Sequence, residues 1–108
     1  MKKLILLLVF CSTVCFAQLR NIVTTAGTRA KLYLPLEYDS TKQYPLMISL
    51  HGIGERGTNI EWVLKNGTPY WISKGHNFPF IVVAPQLEAN KPYTNVWIDG
   101  VLEYVSAR

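Results

Sequence analysis

The sequence predicts an α/β fold in which two short N-terminal strands lead into a βαβ unit and a terminal helix, with the sheet left incomplete. Three observations carry this expectation. Apolar and polar residues alternate with period two through residues 29–36, as in a half-buried strand. Residues 46–50 and 80–84 are two almost continuously apolar runs, the pattern of parallel strands covered on both faces. Segments of helical character lie between these runs and after the second.

The opening residues stand apart from that fold. Met1-Lys2-Lys3 is a short positive region, residues 4–10 are an unbroken apolar run, and Ser12-Thr13 interrupts it. Cys15-Phe16-Ala17 puts small residues at the minus-three and minus-one positions of a cleavage site. Residues 1–17 are therefore predicted to be an export signal, with the mature chain starting at Gln18 and secreted or periplasmic. The run is shorter than the ~20 apolar residues of a permanent span, so no stable membrane span is expected after cleavage. Both cysteines, Cys11 and Cys15, fall inside the leader, preceded by Phe10 and Val14 rather than by the small residue of a lipoprotein site. The mature part then has neither a disulfide framework nor a thiolate metal site.

Without Lys2 and Lys3 the chain carries nine basic residues against seven acidic ones, a net charge of +2, scattered and with no basic run. This composition speaks against a nucleic-acid partner. Two histidines with no repeated carboxylate spacing make no metal site, and no cofactor is expected.

Along the mature chain, residues 20–25 and 29–36 read as strands around a turn at Ala26-Gly27-Thr28. Ala30, Leu32 and Leu34 alternate with Lys31 and Tyr33, and Asp39-Ser40 supplies turn chemistry to the polar loop that follows. Between the two apolar runs, residues 59–65 and 68–74 are helical candidates, the second opened by Thr68 as N-cap and Pro69 at the first helical position. Strand, helical connection and strand form a βαβ unit with its crossover on one face of the sheet. In residues 95–108, Ile98, Val101, Leu102 and Val105 make one apolar stripe; Asn95 can cap this helix, Asp99 lies near its positive end, and Gly100 weakens it. A further buried strand is expected next, so the chain reads as unfinished.

The chemistry is expected at the end of the first apolar run. His51-Gly52-Ile53-Gly54-Glu55-Arg56-Gly57 follows that strand on the sheet edge where ligands of open α/β sheets bind. Its glycines let the backbone approach a bound group, and a backbone N–H, foremost that of Ile53, could face an oxygen developing negative charge. A glycine-rich turn without a ligand is the plain alternative. A phosphate loop is excluded, since its lysine is absent and the glycine spacing is wrong.

The run Tyr44-Pro45-Leu46-Met47-Ile48-Ser49-Leu50-His51-Gly52-Ile53-Gly54-Glu55-Arg56-Gly57, followed by Phe78-Pro79-Phe80-Ile81-Val82-Val83-Ala84-Pro85-Gln86, resembles secreted α/β-hydrolases. The similar group is the predicted-peptidase or esterase branch, near polyhydroxybutyrate depolymerase and feruloyl or acetyl xylan esterases. The resemblance covers roughly residues 30 to 108, and residues 97–107 are similar to the helix that precedes the nucleophile strand. It implies that Gly52, Ile53 and Gly54 form the oxyanion loop with the Ile53 amide as donor. It also implies that Glu55, Arg56 and Gly57 shape the loop, and that His51 is structural because the catalytic histidine of the family comes late in the chain. One departure is decisive: no Gly-x-Ser-x-Gly occurs, and Ser40, Ser49, Ser73 and Ser106 lack that setting. The nucleophile, acid and base are all expected beyond Arg108.

Other residues have simpler readings. His76 sits in a polar turn, Trp62, Tyr70 and Trp71 fit helix faces, and Trp97 either lines the cleft or packs, packing being favoured. Asn66-Gly67-Thr68 matches a glycosylation sequon, but a turn followed by a helix cap explains it more cheaply.

Three functions compete. The leading one is the N-terminal portion of an exported serine-type carboxylic ester hydrolase that supplies the oxyanion loop and is inactive alone. Its full-length form would act on a small-molecule or polysaccharide-linked ester. The second is a small secreted carbohydrate- or ligand-binding module complete at this length. The third is a nonfunctional product of a truncated gene.

Overall fold

The structure, a computed structural model, describes residues 18–106. The predicted leader and the last two residues of the predicted terminal helix lie outside the described residues. Strands β1 (Gln18–Val23) and β2 (Arg29–Leu34) form an antiparallel hairpin in register from Gln18 opposite Leu34 to Val23 opposite Arg29. The turn is where the sequence places it. Gly27 adopts φ +90°, which only glycine takes without strain, and its N–H donates to the Thr24 carbonyl at 2.8 Å.

Strand β3 (Leu46–Ile48) pairs in parallel with β4 (Ile81–Pro85), and α1 (Gly67–Ser73) lies in the connection between them, so the predicted βαβ unit is present. The strand order is β1-β2-β4-β3. Because β4 inserts between β2 and β3 and runs antiparallel to β2, the sheet is mixed. Residues 60–65 form a 3₁₀ helix rather than an α-helix; its Asn59 side chain accepts the Glu61 N–H at 3.1 Å.

Two predicted caps shift. Helix α1 starts at Gly67 with Asn66, not Thr68, in the N-cap position. Helix α2 (Asn95–Ser106) is capped by Thr94, whose Oγ1 accepts the Trp97 N–H at 3.2 Å; Asn95 is already helical and Asp99 lies past the first turn.

The core has two halves, one on each face of the sheet. Ala30, Val83 and Val101 are buried together, with Ile22, Leu32, Ile48 and Val105 packed around them, which seats α2 on one face. Tyr33, Val82 and Ile72 are buried on the other, with Leu19, Phe78 and Phe80, which seats α1 there. In the predicted stripe of α2, Ile98, Val101 and Val105 turn inward, but Leu102 is exposed.

Strand β2 is therefore covered on both faces rather than one. Lys31 and Tyr33, expected to face water, are buried, and their polar ends find partners as buried polar groups must. Lys31 Nζ pairs with Glu61 at 2.7 Å, and the Tyr33 hydroxyl accepts the Phe78 N–H at 2.9 Å. The opposite correction applies to β3. Read from its composition as buried on both faces, it lies at the sheet edge, with Leu46 39% and Met47 36% exposed. Among the described residues only β4 pairs with it.

Candidate functional site

The carboxyl ends of β3 and β4 and the start of β2 meet at one edge of the sheet, and the glycine-rich loop springs from there. Both ends of the loop are fastened to Leu87, just after β4. His51 Nε2 accepts the Leu87 N–H at 2.8 Å, and the Gly57 N–H donates to the Leu87 carbonyl at 3.0 Å. An accepting Nε2 leaves the ring proton on Nδ1, and Nδ1 lies 2.6 Å from the Gly52 carbonyl, to which it donates.

Two successive peptide units are thereby pinned. In the His51–Gly52 peptide, the carbonyl accepts the Tyr93 hydroxyl at 2.5 Å and the N–H donates to Glu55 Oε1 at 2.7 Å. In the Gly52–Ile53 peptide, the carbonyl accepts from His51 Nδ1 and, at 3.2 Å, from the Glu55 N–H, which closes the 3₁₀ turn Ile53–Glu55. A trans peptide holds its N–H opposite its C=O. With that carbonyl held inward by two donors, the Ile53 N–H points the other way. Ile53 is 80% exposed. The amides of Ile53 and Gly54 have no acceptor among the described residues.

Glu55 is the hub of the loop. Its side chain is buried, and its second oxygen accepts Asn66 Nδ2 at 2.8 Å. Its carbonyl accepts Gln86 Nε2 at 3.0 Å, and the same nitrogen donates to the Asn59 carbonyl at 2.7 Å. Asn66 donates its Nδ2 to Glu55, and its side chain makes no cap bond to α1. Gly57 has φ +136°, and a Cβ there would fall 2.8 Å from Trp62 Cζ3, so the loop closes only around a glycine. The Arg56 guanidinium lies 5.8 Å over the Tyr93 ring. Burial pushes the Tyr93 phenol above its ordinary range, with the Arg56 charge opposing and the Glu55 charge adding.

A cavity of about 90 Å³ lies against Ser49, His51, Gly52 and Glu55, and a larger one of about 170 Å³ lies by Gly57, Leu87, Arg29, Lys91 and Trp97. Trp97 both lines the larger cavity and packs edge-on against Tyr93, ring centres 5.3 Å apart. Among the described residues no group of three or more His, Cys, Asp or Glu could hold a metal ion.

All the residues singled out in the loop, from His51 to Gly57, form one braced unit. Gly52 differs from its neighbours, because its N–H is already taken by Glu55 and cannot serve a ligand. The sequence gives no local sign of the part played by Tyr93, Gln86 and Asn66. Gln86 closes the apolar run of β4, and Tyr93 sits 42 positions from His51 in a polar stretch. His76 is exposed in its turn, its ring 5.0 Å from that of Trp71.

The mixed sheet with a helix layer on each face defines an α/β fold. No family model and no curated protein matches the chain. Among solved structures it is similar to a thermostable esterase, with a TM-score of 0.50 and 20% identity over 84% of this chain and 28% of that one. It is also similar to a ferulic acid esterase from the anaerobic fungus Anaeromyces mucronatus, with a TM-score of 0.44 and 17% identity over 92% of this chain and 42% of that one. The first likeness shows that this chain shares the fold of part of the thermostable esterase. The chain spans less than half the length of either.

Proposed function

We propose that this chain is the N-terminal portion of an exported serine-type carboxylic ester hydrolase, and that residues 51–57 are its oxyanion loop. The observation that carries the reading is the Ile53 amide, turned outward and unpaired while the His51–Gly52 peptide before it is bonded at both ends and the carbonyl of its own peptide is held by two donors. A serine outside these residues would attack the ester carbonyl, and the oxygen of the tetrahedral intermediate would take the Ile53 N–H, with the Gly54 N–H beside it. One such preorganised donor is worth ~3 kcal/mol of transition-state stabilisation.

Two further features support the reading. His51 has Nε2 committed to Leu87 and Nδ1 to Gly52, which suits a brace and not a general base. The open outer edge of β3, flanked by the exposed Leu46 and Met47, suits a neighbouring strand that would carry the nucleophile. Among the described residues no serine hydroxyl is bonded to a histidine ring: Ser73 and Ser106 donate to carbonyls of their own helices, and both ring nitrogens of His51, the histidine nearest Ser49, are committed elsewhere. Residues 18–106 are therefore inactive by themselves, and the substrate of the longer enzyme is a small-molecule or polysaccharide-linked ester. The leader at residues 1–17 would export it.

The test is Ile53→Pro in the ester-hydrolysing protein that contains this chain. Ile53 opens the 3₁₀ turn, where proline's fixed φ is accommodated, so the substitution deletes the N–H with little else. The expected loss is ~10²-fold in kcat with KM little changed. An unchanged kcat overturns the reading, as does a coding sequence with no Gly-x-Ser-x-Gly within a few dozen residues of Arg108.

The binding-module reading keeps one observation of its own, the cavity walled by Trp97. It requires the chain to be monodisperse and to melt sharply without any added strand.

A further inference from the structure

We infer that Tyr93 is a positioning residue for the oxyanion loop: its phenol holds the His51 carbonyl, so that the free amide downstream keeps one direction. The inference rests on the oxyanion reading and adds to it a residue from outside the loop. The peptide between His51 and Gly52 is a rigid plane, and two contacts fix its tilt. Glu55 holds the N–H side and Tyr93 holds the C=O side, at 2.7 and 2.5 Å. With the phenol removed, the plane keeps one attachment and can turn about it. The next peptide, which carries the Ile53 N–H, shares the Gly52 Cα with it and moves too.

Burial alone does not demand this bond. Tyr93 is 41% exposed, and water could satisfy its hydroxyl. Instead the ring is set from three sides, by Trp97 at 5.3 Å, by His51 at 5.9 Å and by the Arg56 guanidinium at 5.8 Å. The residue after it, Thr94, caps α2, so the phenol is anchored at the base of a helix packed on the sheet. The loop is in this way tied to α2 as well as to β4. The titratable groups that face the phenol are His51, Arg56 and Glu55. Ionisation of the phenol would remove the proton it donates.

Full chain labelled with ¹³C and ¹⁵N, as wild type and Tyr93→Phe, tests this by NMR. Phenylalanine keeps the packing on Trp97 and Arg56 and deletes only the donor. The expected result is an upfield move of the His51 carbonyl carbon and about fivefold faster exchange of the Gly52 amide, the factor for one hydrogen bond of ordinary net strength. The Val83 amide in the core should be unchanged. The wild-type His51 carbonyl should also titrate with the phenol above pH 10.0, and the variant should stay flat there. Magic-angle-spinning spectra give the same carbonyl reading should the chain associate. An unmoved His51 carbonyl overturns the inference, as does acceleration of Val83 equal to that of Gly52. None of this needs ester turnover. Failure here leaves the Ile53 test standing, and failure of Ile53→Pro leaves the Tyr93 bond to be judged by its own spectra.

Discussion

Strand β3 and the loop that follows it are neighbours in the chain and opposites in how they are held. Leu46 and Met47 are apolar, partly exposed, and bonded on one side only. Residues 51–57 are polar and glycine-rich, yet their backbone is fastened by His51, Glu55, Tyr93, Gln86 and Leu87. The ordering of the loop owes little to hydrophobic burial. It comes from polar groups given partners around Glu55 and Leu87, with the N–H groups of His51, Ile53 and Gly54 and the buried Arg56 Nε left without one among the described residues. In β3 the apolar character instead asks for a neighbour that residues 18–106 do not supply. The proposed hydrolase reading requires this combination, free amides held in place beside a sheet edge that a further strand can extend.

The largest effect that can break this contrast is at Gly57. Gly57→Ala forces a side chain into φ +136° and against Trp62, which should cost about 3 kcal/mol of stability and push the ring off the loop. Denaturant unfolding measures it. A loss under ~0.5 kcal/mol, the range of ordinary surface changes, would mean that the loop is not tightly closed.

Glu55→Gln comes next. The carboxylate accepts from the Gly52 N–H on one oxygen and from Asn66 on the other. A carboxamide keeps one oxygen and presents an NH₂ to the second donor, so one buried pairing is lost at about 2 kcal/mol. Exchange of the Gly52 amide should rise along with the loss of stability. If the variant unfolds at the wild-type midpoint, the polar braces do not hold the loop.

The contrast also explains which parts could be read from the sequence. The hairpin turn at Gly27, strand β4 and the inward side of α2 were legible because each is set by local periodicity or by one special φ. The burial of Lys31 and Tyr33 was not, since it depends on β4 inserting beside β2 and on the 3₁₀ helix at Ile60–Lys65 bringing Glu61 over Lys31. The residues that chain order places in the loop were found. Those that reach it through space were not: Asn66 looked like a turn residue, and Tyr93 comes from the far side of β4. The apolar run at β3 implies a fully covered strand because hydropathy records what a strand needs and not whether its neighbour is present.

That last point gives the smallest effect and the sharpest test of the comparison. Met47 lies on the open strand and is 36% exposed, so Met47→Lys in this chain should change unfolding stability by less than ~0.5 kcal/mol. A lysine on an open edge opposes pairing with another chain, so self-association measured by sedimentation velocity should fall clearly. Where a further strand covers β3, the same lysine would be buried without a partner, and the substitution would become markedly destabilising. A neutral change in residues 18–108 joined to a damaging one in the longer protein is what an unfinished edge predicts. Equal effects in both would mean that β3 is an ordinary edge strand, and that the loop beside it serves residues already present in this chain.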